Sequence, residues 1–455
     1  MAKTKPNLAP LLIALALLFL IPTRLCALEI KRYVLNNGAV LLVSEQHQLP
    51  MVTVSIAFDA GSRRDPEGKA GLASLTAASL AEGTRELSAS ELNKKIDFMG
   101  SSLTVSADRD YATASCVSLK KFFPQTLALL TSVLTDPGLR DEDILRKKTE
   151  QIAALRSADE EPGYVAKRVF TELLFDHQPY GHLPEGDLDS VERLTPQDVR
   201  EFYHTYYHTG SAVIAVVGDV DAEQIKGEFD KALAKLQGQV APQPPPPPPK
   251  VPAGAHVTKI DRNVTQANIE LGFEGIARSN PDFYKLQVMN YILGGGGFAS
   301  RLVKQVRSKA GLAYSVASFF TPGKFPGSFQ VVLQTKNSSA NQAVRMVLEE
   351  LRNMQTRPVS QKELEGAKRF LIGSFPLKID RQSSIASFLL QVEIYGLGLD
   401  YVDKYPKLID AVTVEDVQNV ARKYLHPDAY ILVAVANQKE AALDVSSAAP
   451  ANGGH

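Results

Sequence analysis

The stretch Leu194–Asp221, "LTPQDVREFYHTYYHTGSAVIAVVGDVD", can be laid over Val412–Lys439, "VTVEDVQNVARKYLHPDAYILVAVANQK", at a constant offset of 218 residues. Thr195, Asp198, Val199, Tyr206 and His208 fall on Thr413, Asp416, Val417, Tyr424 and His426. Each copy reads as a threonine N-cap opening an amphipathic helix, then a loop, then a β-branched strand at Ala212–Val217 or Tyr430–Val435. Each half also begins with strand-like alternation, "AVLLVSEQ…MVTVSIAFDAGS" in the first and "NIELGFEGI" in the second. One unit is therefore used twice. The fold class expected is α+β: two duplicated domains, each a mostly antiparallel sheet with helices packed on one face.

The seam is equally legible. "APQPPPPPPKVP", Ala241–Pro252, contains six consecutive prolines, which neither a helix nor a central strand accepts. As a polyproline II spacer that run spans about 20 Å. The expected boundaries are 28–236 for the first domain, 237–255 for the linker, 256–440 for the second domain and 441–455 for a small, polar, disordered tail. Residues 1–27 read as a signal peptide: Lys3 and Lys5, an apolar run Leu11–Ile21, then Pro22 and a small residue, Ala27. That run is short for a membrane span, so an uncleaved anchor is the lesser expectation. The protein is expected in the bacterial periplasm or secreted, touching membrane only transiently through the signal peptide.

Bulk composition narrows the function. Lys+Arg and Asp+Glu both total 50, and no basic helix or aromatic-basic stripe stands out, which excludes nucleic acid as a partner. Removal of residues 1–27 leaves 47 cations against 50 acids and a single cysteine, Cys116. Neither an internal disulfide nor a cysteine metal site can then form.

Three further stretches carry a family resemblance: "AGSRRDPEGKAGLASLTAASLAEGT" (60–84), "HQPYGHLPEGDLDSVERLTPQDV" (177–199) and "LGGGGFASRLVKQVRSKAGLAYSVASFF" (293–320). Together they resemble the inverted-motif zinc peptidases of the insulinase/pitrilysin family, which includes the mitochondrial processing peptidases. In that family H-x-x-E-H places two histidines on one helix face for zinc, with a glutamate as general base. A later helix adds a carboxylate ligand. Aligned on GLA and GT, the ligand places here hold Ser74 and Ala78, and the base place holds Ala77. Ala154 falls at the third ligand, in a register that can slip by a turn toward Glu150. Serine is a poor zinc ligand and alanine none.

Other residues offer little replacement. Glu82 is one turn past Ala78, but a carboxylate without imidazoles holds zinc weakly. His204 and His208 have i, i+4 spacing with no acid between them, and His177 and His182 read as turn chemistry. No metal or cofactor is therefore expected in this chain.

The second half keeps what the first lost. The resemblance gives Arg307, Tyr314 and the glycine run Gly294, Gly295, Gly296 and Gly297 a role in binding substrate. In the family's active assemblies, an arginine and a tyrosine from one half reach the peptide held at the other half's zinc. The chain is thus expected to be inactive alone: a non-catalytic subunit paired with a homologous H-x-x-E-H-bearing chain that carries zinc. The two would take extended peptides as substrate. The alternative is a silent, homodimeric peptide-binding or scaffold protein of the envelope. An independently active zinc peptidase is the third, least supported by the residues.

Overall fold

The computed structural model describes residues 28–236, 238–249 and 253–444, so the expected signal peptide and the end of the tail lie outside the described residues. The first sheet contains β1 (Lys31–Val34), β2 (Val40–Glu45), β3 (Met51–Phe58), β4 (Ser102–Ala107), β5 (Ala112–Leu119) and β6 (Val213–Gly218). Its order is β1-β2-β6-β3-β5-β4. The second contains β7 (Ala255–Asp261), β8 (Gln266–Glu274), β9 (Ala313–Phe320), β10 (Ser328–Lys336) and β11 (Tyr430–Ala436), in the order β7-β11-β8-β10-β9. Strand β6 pairs parallel with β2 and antiparallel with β3; β11 repeats this with β7 and β8. The remaining pairs are antiparallel.

The duplicated segments thus occupy one position in both sheets. Their helices, Pro196–Tyr206 and Val414–Tyr424, each open on a reciprocal cap, Thr195 with Asp198 and Thr413 with Asp416. Each cap aspartate also takes a lysine from earlier in its half, Lys69 just before the Leu72–Leu80 helix on Asp198 and Lys285 of the Phe283–Asn290 helix on Asp416.

Helices cover more of each sheet than expected. Leu41, Val54, Ile56, Ile214 and Val216 pack on the first half's own helices through Leu72, Leu75 and Phe202. The opposite face, with Leu42, Ala57, Val213, Ala215 and Val217, joins the core of the second half. There the Gln382–Ile394 helix crosses β3 and β6. Reciprocally, the Pro162–Phe175 helix of the first half crosses β8 and β11, so Val165, Ala166 and Phe170 meet Ile431, Val433 and Val435. The cause is in the strands: β6 and β11 are apolar throughout and buried along their whole length, so both faces need cover.

Two segments outside the expected domains pack against the folded halves. The linker is not a free spacer: the Arg64 guanidinium donates to the Ala241 carbonyl (3.0 Å), Gln243 donates to the Arg63 carbonyl (3.1 Å), and Pro249 is buried. The tail is ordered further than 440. Ala441 and Leu443 are buried, and Asn341 donates to the Ala441 and Ala442 carbonyls and accepts from the Asp444 amide, because apolar Leu443 completes the second core.

Exchange of helices leaves one acid in an apolar place. Glu270, 3 % exposed in β8, has no partner for Oε1, and burial pushes its carboxyl up to about 8. A carboxyl with a folded pKa above its unfolded one supports the fold fully at low pH and loses that support as pH rises through the folded value. Glu270→Gln is therefore expected to gain stability over the parent protein between pH 5 and pH 8, by up to roughly 1.4 kcal/mol per pH unit. Urea unfolding at several pH values measures it; a pH-independent difference contradicts it.

Candidate functional site

The Leu72–Leu80 helix is set in place by the residues before it. Buried Asp65 accepts the backbone N–H groups of Gly71 (2.8 Å) and Ala73 (2.7 Å), pairing first-turn amides that have no partner within the helix; burial pushes its carboxyl well above the usual carboxylate range against the pull of these bonds. Gly71 has φ of +91°, and a Cβ there would lie 2.7 Å from the Glu185 carbonyl oxygen. Glycine lets the 183–186 turn and the Asp141–Asp159 helix close onto this helix. Gln151 completes the junction, its amide donating to the carbonyls of Glu185 (2.8 Å) and Gly71 (3.2 Å).

Ser74 hydrogen-bonds the Pro184 carbonyl (2.6 Å), Ala77 is fully buried and Ala78 half-buried. Glu82 lies just past the helix end, bound by Arg146 and by Lys147 (3.0 Å), and Glu150 is held by the same two cations. Burial acts to lower the Lys147 pKa, but Glu150 and Glu82 outweigh it and keep the ammonium charged. Ala154 is exposed, whereas Gln151 and Leu155 of that helix turn inward.

Ser74, Ala77, Ala78 and Ala154 offer no imidazole or carboxylate, and the acids one turn away, Glu82 and Glu150, are already paired with Arg146 and Lys147, so these residues do not fit zinc. His204 and His208 do not share a helix face either: the helix ends at Tyr206 and His208 is extended, at φ −121°. His182 is half-buried with its ring on the Leu183 carbonyl (3.0 Å), and its pKa is lowered by desolvation. Among the described residues no three His, Cys, Asp or Glu side chains converge on a metal position. Purified protein incubated with zinc is expected to retain far less than one equivalent, and a chelator to leave its Tm unchanged. Elemental analysis and a thermal melt are the checks; one retained equivalent contradicts the assignment.

The second-half set has the opposite character. The Phe283–Asn290 helix runs on through a π-helical turn, Tyr291–Gly295, into the glycine run. Gly294 is buried, and a Cβ there would meet Ser318 Oγ at 2.4 Å and Leu302 Cδ1 at 2.9 Å. Gly294 thus serves close packing. Gly295 and Gly297 are exposed and Gly296 half-buried, and Gly297 has φ of +54° with nothing near its Cβ position.

The two arginines that follow are not equivalent. Arg301 makes a two-pronged ion pair with Glu363 (2.7 and 3.0 Å), which holds the Glu363 carboxyl down at about 2. Arg307 is exposed and has no carboxylate partner among the described residues; its guanidinium lies 5.0 Å from the ring centroid of Phe298, itself 74 % exposed. Tyr314 is half exposed on β9, the edge strand, and its hydroxyl bonds no described residue. Free donors on an edge strand can hold an extended backbone.

The halves meet in a buried polar cluster. Asp110 accepts from the Tyr180 hydroxyl (2.6 Å), the Lys324 amide (2.9 Å) and the Tyr395 hydroxyl (3.4 Å), and faces Arg63 Nε at 3.4 Å. Asp59 binds Arg63 and Arg64; burial pushes its pKa upward, but those cations and Lys324 win and hold it low. Beside the cluster is a cleft of about 660 Å³ whose lining includes Arg109, Lys167, Pro184, Glu185, Gly323 and Tyr395. Ser74 therefore stands, through Pro184, on the cleft side. Tyr314 lies seven residues along the second half from Thr321, where the cleft lining begins, or about 23 Å of extended chain. The degenerate helix and the Arg307–Tyr314 set are separate places.

Fold and site together define a peptidase-like shell of two repeated units whose metal place holds serine and alanine instead of ligands. Residues 40–183 match the family described as Insulinase (Peptidase family M16), and residues 193–371 match its companion, Peptidase M16 inactive domain. The chain belongs to this M16 family, as a homologue without the metal-binding residues. It is 26 % identical over 405 residues to the Helicobacter pylori protein named Non-peptidase homolog YmxG, covering 88 % of this chain and 92 % of that one. Against the probable mitochondrial-processing peptidase subunit beta of Arabidopsis thaliana, the identity is 27 %, covering 88 % and 77 %. A Pseudomonas fluorescens structure titled peptidase M16 inactive domain superposes with a TM-score of 0.84 at 29 % identity, over 90 % of this chain and 98 % of that one.

Proposed function

We propose that this chain is the zinc-free subunit of a two-chain zinc peptidase exported to the bacterial periplasm. A homologous chain bearing H-x-x-E-H supplies metal and general base. This chain supplies half of the peptide-binding chamber, with Arg307, Tyr314 and the exposed backbone of Gly295–Gly297 turned toward the partner's site. The observation that carries the reading is the pair of uncommitted donors, Arg307 and Tyr314, far along the chain from a first-half place that cannot hold zinc.

The chemistry fits those side chains. A guanidinium holds a peptide carbonyl through paired N–H groups, and a phenol donates to the oxygen that gains charge as water attacks. β9, at the sheet edge, offers unpaired backbone groups to an extended peptide. The test is co-purification from the source organism with an H-x-x-E-H-bearing relative, followed by peptide hydrolysis. Recovery of this chain as a homodimer that binds peptide without cleaving it, with no such relative present, would establish the scaffold reading instead.

A further inference from the structure

At the end of the first sheet where β3 begins and β5 ends, apolar side chains stand in solvent among lysines. Phe98, the last residue of the Ala89–Phe98 helix, is 83 % exposed, and Leu49, in the β2–β3 loop, is 59 % exposed. The Phe98 ring lies 6.4 Å from that of Phe122, over which Lys121 Nζ sits at 4.6 Å. Lys94 and Lys95 are one helical turn before Phe98 and share its side of the helix. The Lys120 amide donates to the Pro50 carbonyl (2.8 Å), which ties the Leu49 loop to the same surface. All four lysines are exposed.

The carboxylates here are fewer. Asp97 adjoins Phe98, and Asp219 is shared by Lys120 (2.9 Å) and His47 (2.7 Å). Glu91 lies two turns from Phe98 and is engaged in its helix cap. Around the two apolar tips, four cations therefore face three acids, Glu91 among them because Lys94 and Lys95, behind its bonds from Ser88, help hold its carboxyl low, and two of the three acids are already engaged in a cap or an ion pair. β1 begins at this same end of the sheet, with Lys31 opposite Val43, and the apolar run Leu11–Ile21 precedes it in sequence.

We infer that this end of the first half docks on an anionic lipid bilayer: the lysine ammoniums meet lipid phosphates while Phe98 and Leu49 enter the headgroup–acyl boundary. An exposed aromatic ringed by lysines satisfies both layers of such an interface, and the local excess of lysine over free carboxylate gives the attraction its sign. This surface is separate from the Arg307–Tyr314 site and does not depend on its role.

Vesicle co-sedimentation of the full chain tests it. The readout is the increment in binding on going from phosphatidylcholine to phosphatidylcholine–phosphatidylglycerol vesicles, compared between the parent chain and K94E/K121E, to which Lys3, Lys5 and Arg24 beside the apolar run contribute alike. The parent's increment is expected to exceed the variant's by at least roughly 10-fold, as for several charge steps at an anionic surface, and high salt should remove the difference. The variant should keep its Tm, and F98S should weaken binding to both vesicles. Equal increments in the parent and K94E/K121E overturn the proposal. So does a K94E/K121E defect confined to assembly with a partner chain, which would make this a protein interface.

Discussion

Replacing Arg307 by alanine and Tyr314 by phenylalanine together is expected to lower kcat of the assembled two-chain peptidase by about 10²- to 10³-fold. That is the range for removing a donor aimed at a developing oxyanion. The double change is not expected to multiply two such factors, because the groups act on one peptide bond as a unit. Both side chains are exposed and neither bonds another described residue, so Tm should stay within about 1 °C of the parent's. Arg301→Ala makes the contrast: it releases Glu363 and loosens the turn after the glycine run, so stability should fall as well as rate. Steady-state kinetics on each reconstituted pair decides the matter, and an unchanged kcat for the double variant removes Arg307 and Tyr314 from the site.

The largest stability effect is expected at Asp110. It is 7 % exposed and receives groups from both halves: Tyr180 and Arg63 from the first, the Lys324 amide and Tyr395 from the second. Asp110→Ala leaves the Tyr180 and Tyr395 hydroxyls and the Lys324 amide without this acceptor, and removes one of the two anions beside buried Arg63, which keeps Asp59. Breaking one side of such a pair typically costs about 3–5 kcal/mol. Asp110→Asn keeps an acceptor while losing the charge and should fall between the two. Denaturant unfolding at pH 7 measures the losses, and a loss below about 1 kcal/mol for the alanine variant would show that the cluster does not join the halves.

How far the sequence reveals this molecule differs from residue to residue. The paired Thr195–Asp198 and Thr413–Asp416 caps, each followed by an all-apolar strand, disclose the duplication, because caps and burial are written in local residue types. The uninterrupted apolar composition of β6 and β11 accounts for cover on both faces, where the expectation had helices on one face only. It does not say by what. An apolar helix face asks for a partner sheet without naming it, so the exchange of Pro162–Phe175 and Gln382–Ile394 between halves was not legible.

The site divides the same way. Ser74, Ala77 and Ala78 announce the missing zinc chemistry at once, whereas the Arg146–Lys147–Glu82 network that fills the region joins residues over sixty positions apart. Arg301 and Arg307 look alike as letters, and only the pairing of Arg301 with Glu363 reveals which guanidinium is free. Within the glycine run, Gly294 and Gly297 differ only in their surroundings, one against Ser318 and the other open. Phe298, which underlies Arg307, carries no local signal, since an exposed aromatic and a core one read the same. A paired "RR" before Asp65 was the one local hint of the buried cluster at the junction of the halves.

The most direct measurement is a titration of peptide hydrolysis, with this chain added stepwise to a fixed amount of the metal-bearing relative. No cleavage by this chain alone, and a rate that rises and saturates at one copy of each, is the expected result. Cleavage by the isolated chain with one equivalent of bound metal, or a relative whose rate ignores the addition, contradicts the division of labour between the two.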